Sequence, residues 1–239
     1  MVTVRGSSES VEARLGAGEL ACWCGGKLQP WGHARPRAVA TFAGPAVVRP
    51  RRGRCAGCRR THVLLPAWLL SRRRYAAPVI FAALALRAAG LKVAAAAARL
   101  RLPSPGGGWR GVPASTAGSW LARFTSRAGA LSRLFLGVLP LADPQARPVA
   151  AAGSPPADAL AVLDAVTAGL RSRFPALAKL AAHEVAAHLT GGMLLAPRCR
   201  AWRATRACPG WPPPALPDCR ERPAGSSWSV SRRSGRRKA

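Results

Sequence analysis

The 239-residue chain holds 37 Lys and Arg against 9 Asp and Glu, a formal net charge of +28, with an isoelectric point near 11.9. Residues 20–142, 123 in all, contain no acid and 20 Lys and Arg. A folded surface that basic repels itself unless a polyanion lies on it, and the missing carboxylates exclude the metal-dependent nuclease and phosphoryl-transfer sites that need them.

The preference for Arg over Lys matches a GC-rich gene, which leaves the missing acids unexplained. The first 20 residues include Arg5, Glu9, Glu12, Arg14 and Glu19 and no apolar stretch of the kind a secretory signal needs. The longest apolar run, residues 76–86, is too short for a bilayer. The chain is therefore expected to be soluble, cytoplasmic and nucleoid-associated, with no membrane partner. Seven cysteines in such a setting point to metal binding more than to disulfides.

In chain order, residues 1–18 are polar and rich in small side chains, the composition of a flexible arm. Residues 19–70 hold four cysteines, several Gly and Pro and short β-favouring pieces, which predicts a small zinc-ribbon-like domain. From Tyr75 the hydrophobic period becomes helical: Val79, Ile80, Ala83 and Leu84 continue one face towards Gly90. Residues 92–100 hold five consecutive alanines, a strong local helix signal.

Pro103, Pro105 and Gly106-Gly107-Gly108 then interrupt any regular element. Ser115 or Thr116 is expected to cap a further helix, with Ala117, Trp120, Leu121, Phe124, Ala128, Leu131 and Phe135 on its inner side. Residues 75–136 read as a helix-turn-helix-like helical domain and 137–156 as a linker. Residues 157–197 read as a helical pair (157–173 and 176–189) closed by Gly191-Gly192. Residues 198–239 lack any period and are expected to be a disordered basic tail, or the product of an out-of-frame GC-rich reading. The expected fold is mainly α with a small amino-terminal zinc-ribbon β element.

Cys22-Trp23-Cys24-Gly25-Gly26 and Cys55-Ala56-Gly57-Cys58 form two short cysteine knuckles. Glycine beside each lets the backbone turn tightly, so that all four sulfurs can face one tetrahedral ion. A structural Zn2+ would supply folding energy that this core-poor segment lacks. The first knuckle is one residue short of the usual spacing, so His33 or His62 could replace a cysteine, and four reduced thiols without metal is the plainer alternative. Cys199, Cys208 and Cys219 lie in the tail and are expected to bind nothing.

His183-Glu184-Val185-Ala186-Ala187-His188 imitates a zinc-peptidase motif. Its histidines are five residues apart, however, and a regular helix cannot turn both toward one ion.

Arg51, Arg52, Arg54, Arg59 and Arg60 flank the second knuckle, and Arg72, Arg73 and Arg74 precede the first long helix. The guanidinium fork matches phosphate oxygens, so together these argue for phosphate contact, although any single one can be an ordinary solvated arginine. In a helix-turn-helix, Ser115, Ser119, Arg123 and Arg127 would face a DNA major groove. An ordinary helical hairpin fits the same period.

The segments Cys22–Gly26, Pro30-Trp31-Gly32-His33-Ala34-Arg35-Pro36-Arg37 and Cys55 to Pro66 resemble an uncharacterised actinobacterial family. Its members look like a zinc ribbon joined to a helix-turn-helix, similar to the amino-terminal part of insertion-element transposases. Gly111-Val112-Pro113-Ala114-Ser115-Thr116 with Trp120-Leu121, and Glu184-Val185-Ala186-Ala187 with Leu189-Thr190-Gly191-Gly192, carry the likeness further. The resemblance covers about residues 19–197. This chain departs from it in the shortened knuckle, in the long connection 101–114, and in small residues at Gly118 and Ala122 where the family tends to carry Arg.

The resemblance and the charge together imply a non-enzymatic, transposase-derived DNA-binding protein, whose partner is nucleic acid with double-stranded DNA foremost. An RNA- or ribosome-associated zinc-ribbon protein and a degenerate inactive remnant are the alternatives. A complete transposase is not expected: the six acids beyond the amino-terminal arm fall in a linker, helices and the tail, with too little chain for a nuclease fold.

Overall fold

The computed structural model describes residues 1–196. The tail and Cys199, Cys208 and Cys219 lie outside the described residues.

Strand β1 (Val2–Val4) leads into helix α1 (Ser8–Gly16), whose first turn is capped by the Ser7 hydroxyl accepting from the Ser10 N–H at 3.3 Å. The segment expected to be a loose arm is thus folded: Val11 and Leu15 of α1 and Val4 of β1 are buried. Strands β2 (Leu28–His33), β3 (Arg37–Thr41), β4 (Gly44–Val48), β5 (Arg51–Cys55) and β6 (Thr61–Pro66) follow. One sheet runs β1-β6-β5-β2, with β1 parallel to β6 and the other pairs antiparallel. Strands β3 and β4 form a separate hairpin.

Two helices come next, α2 (Ala77–Ala88) and α3 (Val93–Arg99). The Pro/Gly-rich connection forms a second hairpin, β7 (Arg101–Pro103) with β8 (Trp109–Gly111), pairing Leu102 with Arg110 and Pro103 with Trp109. Gly107 and Gly108 take φ of +86° and +71° in its loop, a conformation open to glycine at little cost. Helices α4 (Ala114–Thr125), α5 (Ala128–Ala142), α6 (Pro155–Arg173) and α7 (Ala182–Leu189) complete the described chain.

The expectation of a mainly α protein is corrected to a mixed α/β one, because β1 extends the ribbon sheet and residues 101–111 pair instead of remaining irregular. Several helix limits also move: α5 runs on to Ala142, into the segment 137–156 expected to be a linker, because Val138, Leu139 and Ala142 continue its buried face, and α6 begins at Pro155. Pro113, not Ser115 or Thr116, occupies the N-cap of α4 with φ −56°, and no side chain caps that end. The helix expected over 176–189 is broken: a 3₁₀ turn at Pro175–Leu177 precedes α7, and the Arg171 Nε–H donates to the Leu180 carbonyl at 2.6 Å where the chain changes direction.

Two hydrophobic cores result. The larger joins α2 to α7 with Val39, Leu65, Leu69 and Leu70 from the ribbon half. Helices α5 and α6 lie closely together; a β-carbon on Gly169 would come within 2.8 Å of Asp143 Cβ. The smaller core consists of Val4, Val11, Leu15, Leu20, Cys22, Leu28, Cys55 and Leu64. Two of its members are metal-binding residue types, so the apolar part alone is thin. Among the described residues no helix is long and apolar enough to cross a membrane.

Candidate metal centre and basic surface

The first knuckle is a tight turn. The Cys22 N–H donates to the Gly26 carbonyl at 2.8 Å and the Gly25 N–H to the Cys22 carbonyl at 2.9 Å, with Gly25 at φ +83°. The second knuckle is built alike: the Cys55 N–H donates to the Arg60 carbonyl at 2.9 Å and the Arg59 N–H to the Cys55 carbonyl at 3.1 Å. Here the left-handed position is taken by Arg59, φ +61°, where glycine is the usual occupant. The Ala56 N–H bonds to the Lys27 carbonyl at 3.0 Å and locks the two turns face to face.

Their sulfurs converge. The ligand atoms of Cys22, Cys24, Cys55 and Cys58 all lie within 4.8 Å of one another, with Cys22 Sγ 3.6 Å from Cys58 Sγ and Cys24 Sγ 3.4 Å from Cys55 Sγ. A tetrahedral ion with metal–sulfur bonds of about 2.3 Å spaces its ligands by about 3.8 Å, so this donor set fits a metal ion. Gly26 makes room for it: a β-carbon there would sit 2.7 Å from Cys55 Sγ and 3.1 Å from the Gly57 nitrogen. The shortened spacing of the first knuckle therefore does not keep Cys24 from the cluster.

Burial pushes the Cys22 thiol up to about 12, whereas the Gly26 N–H, with help from the neighbouring thiols, draws exposed Cys24 down to about 6. One shared negative charge on Cys24 suits the free thiols; four thiolates require a cation.

The two histidines expected as alternate ligands separate. His33 is exposed on β2 and its Nδ1 stands 3.4 Å from Arg51 Nη1, away from the sulfurs. His62 on β6 is buried, and its Nε2 stands 3.1 Å from Cys22 Sγ. It serves as a hydrogen-bond neighbour of a ligand sulfur, an arrangement that orients and tunes metal ligands. Burial holds its imidazole below the usual pKa, so the neutral ring can donate Nε2–H to sulfur.

His183 and His188 of α7 also part: His183 lies beside the Phe81 ring, centroids 6.1 Å apart. His188 faces an apolar cavity of about 290 Å³ lined by Val2, Trp23, Val138, Leu170 and Leu189. Its Nε2 has no hydrogen-bond partner among the described residues, and burial pulls its pKa down to about 4.

The arginines fall into two groups. Arg51 is held by Glu12 (Nε to Oε2, 2.6 Å; Nη2 to Oε1, 2.6 Å). Arg54 lies over the Trp31 ring at 4.5 Å and donates Nε–H to the Arg59 carbonyl at 3.3 Å. Arg73 donates to the Leu195 carbonyl at 2.7 Å, and Arg127 to the Met193 and Leu194 carbonyls at 3.0 and 3.1 Å. These four brace the fold. Arg59, Arg60, Arg72 and Arg74 are exposed and Arg52 is half-buried.

On α4, Ala117, Trp120, Leu121 and Phe124 face the core. Ser115 and Ser119 are exposed on the opposite side, and Arg123 is half-buried. The Tyr75 ring meets Trp120 edge-on at 5.0 Å, which fixes the turn bearing Arg72, Arg73 and Arg74 beside α4. Three aromatics of the β half and its hairpins are exposed: Trp31 on β2 at 50%, Phe42 in the β3–β4 turn at 45% and Trp109 on β8 at 60% of full exposure. Their exposure is invisible until the strands, turns and pairing are known.

No curated protein and no solved structure matches the chain. Residues 21–100 match the model of a domain of unknown function, DUF6431; that domain takes in both cysteine knuckles together with α2 and α3.

Proposed function

We propose that this protein binds nucleic acid without catalysing a reaction on it, with duplex DNA as its partner and Zn2+ as a structural ion held by Cys22, Cys24, Cys55 and Cys58. Helices α3 and α4, both packed on α2, act as a helix-turn-helix whose turn has been opened by the β7–β8 hairpin. The carrying observation is a stripe of small polar side chains, Ser115 and Ser119 on α4 and Ser126 at its C-cap, in a basic stretch that contains no carboxylate from residue 20 to residue 142. Small side chains let a helix approach the floor of a major groove, while Arg59, Arg60, Arg72, Arg74 and Arg123 provide phosphate contacts that set its position. The working place implied is the cytoplasm, on the nucleoid, and descent from a transposase would fit the likeness of the ribbon and the helical unit. With fewer arginines on α4 than that likeness leads one to expect, base reading would be weak and backbone contact dominant.

Quantitative gel shift of the full chain with a 40-bp random-sequence duplex at two salt concentrations tests this. Affinity is expected to fall steeply with salt, by about three orders of magnitude from 50 to 200 mM for six or more phosphate contacts. An affinity indifferent to salt, or no complex, overturns the reading. Competition with single-stranded RNA tests the alternative, which the Arg54-covered Trp31 ring favours as a base-stacking platform.

A further inference from the structure

Hairpin β7–β8 leaves the helical unit between α3 and α4. Leu102 on its inner side is buried, and the Val112 N–H bonds to the Leu100 carbonyl at 3.2 Å, so the base of the hairpin is anchored. Its remaining side chains are of another kind. Arg101, Trp109 and Arg110 are all exposed, and the loop between the strands, Ser104 to Gly108, has no bulky side chain.

Trp109 pairs in register with Pro103, and Pro103 Cβ lies 4.0 Å from where a β-carbon on Gly44 would stand, beside the turn that carries exposed Phe42. Trp109, Pro103 and Phe42 thus give an apolar edge, with Arg101 on the same face of the β7–β8 hairpin. A lone exposed tryptophan is ordinary. One fixed on an anchored hairpin, next to a second exposed aromatic and in a carboxylate-free basic stretch, matches a polyanion that also offers flat apolar faces.

Position selects the ligand further. Trp109 precedes Ser115 by six residues, a reach of at most about 20 Å in extended chain. Neighbouring grooves of a duplex are half a helical turn apart, about 17 Å. With α4 in a major groove, the adjacent minor groove lies within the hairpin's reach.

We infer that the β7–β8 hairpin is a second DNA-contacting element, which places Arg101, on the same face as Trp109 and Pro103, at the adjacent minor groove and wedges Trp109 against a base step, bending the duplex. This rests on the DNA-binding reading above. Apolar side chains set into the minor groove part the base step and kink DNA by about 20–90°, and Arg favours the negative potential of a narrow groove.

The test uses the full zinc-loaded chain and a 40-bp duplex labelled at both ends for energy transfer, with binding read in parallel by anisotropy. Trp109→Ala changes an exposed side chain and should leave the fold intact, which circular dichroism checks. Binding of the natural chain is expected to shorten the end-to-end distance and to protect minor-groove positions from hydroxyl radicals. Trp109→Ala is expected to abolish the shortening and weaken binding about tenfold, as loss of one aromatic–base stack does. Trp109→Phe should retain most of both.

Equal bending and affinity for Trp109→Ala and the natural chain would overturn the hairpin's role while leaving DNA binding in place. A loss confined to a single-stranded probe would overturn the wedge likewise. No complex between the natural chain and the duplex would overturn both proposals together.

Discussion

At the level of single residues, two positions in the knuckles decide how the thiols meet. Gly26 is there because a methyl group in its place would collide with Cys55 Sγ. Gly26→Ala is therefore expected to weaken metal binding by at least about tenfold, the usual effect of disturbing a ligand's immediate support, as read by competition with a chromophoric chelator. Arg59 holds a left-handed conformation, φ +61°, that costs a non-glycine residue about 1 kcal/mol. Arg59→Gly should stabilise the ribbon by about 0.5 kcal/mol once the greater freedom of unfolded glycine is subtracted. If the Arg59 guanidinium contacts phosphate, the same variant should lower the salt slope of DNA binding by about one. Opposite signs in stability and affinity would distinguish a functional arginine from a merely strained one.

Which residues could be read in advance differs by chemistry. The four cysteines were legible because thiol ligation demands a residue type at a local spacing. Arg73 and Arg127 were not legible as braces, since their carbonyl partners at 193–195 are distant in sequence and an arginine looks the same whether it faces a carbonyl or a phosphate. His62 beside Cys22 sits between these cases: its spacing marks it as a ligand, and only the fold reveals it as a neighbour of one.

Among elements, α7 carries the clearest pH dependence. His188 sits in the wall of an apolar cavity with Arg5, Arg14 and Glu184 as the charges it feels, and burial lowers its pKa to about 4. Between that value and the unfolded value near 6.5 the unfolded chain binds a proton that the folded one refuses. Stability contributed by neutral His188 is therefore whole above about pH 6.5 and is lost as pH falls toward 4, on the order of 3 kcal/mol in all. His188→Leu should remove this part of the acid sensitivity. Denaturant melts of the two proteins at pH 7.5 and 5 would show it as a gap that widens at the lower pH.

The β7–β8 hairpin shows the converse limit of reading by element. Prolines and a glycine run signal only an interruption, and a three-residue strand has too short a period to register. Its pairing became visible through its partner strand, and the exposure of Trp109 through the pairing. Helix α2 is plain because four core positions recur at helical spacing, and 176–189 reads as one helix because apolar spacing continues through the break at Leu180.

On the scale of the whole molecule, the two cores predict a two-stage response to metal removal. The small core around Leu15, Leu28 and Leu64 is completed by Cys22 and Cys55, whereas the helical core contains no cysteine. A strong chelator at neutral pH is expected to open the ribbon to proteolysis within residues 19–66 while most helical circular dichroism persists. Simultaneous collapse of both parts would show that β1 and the 191–195 turn couple them more tightly than the cores suggest; the Ser71 N–H to Gly192 carbonyl bond at 2.8 Å is one such tie.

Sequence alone determined the charge, the absence of carboxylates from residues 20–142, the four thiols and the long amphipathic helices, since each depends on residue type or on a period within a few turns. Tertiary structure decided which arginines are held by carbonyls and which reach solvent, that Cys24 joins the cluster despite its short spacing, and that residues 101–111 stand out as an anchored arm. These depend on contacts between residues far apart in the chain, where burial and hydrogen-bond partners, rather than local propensity, set the lowest free energy.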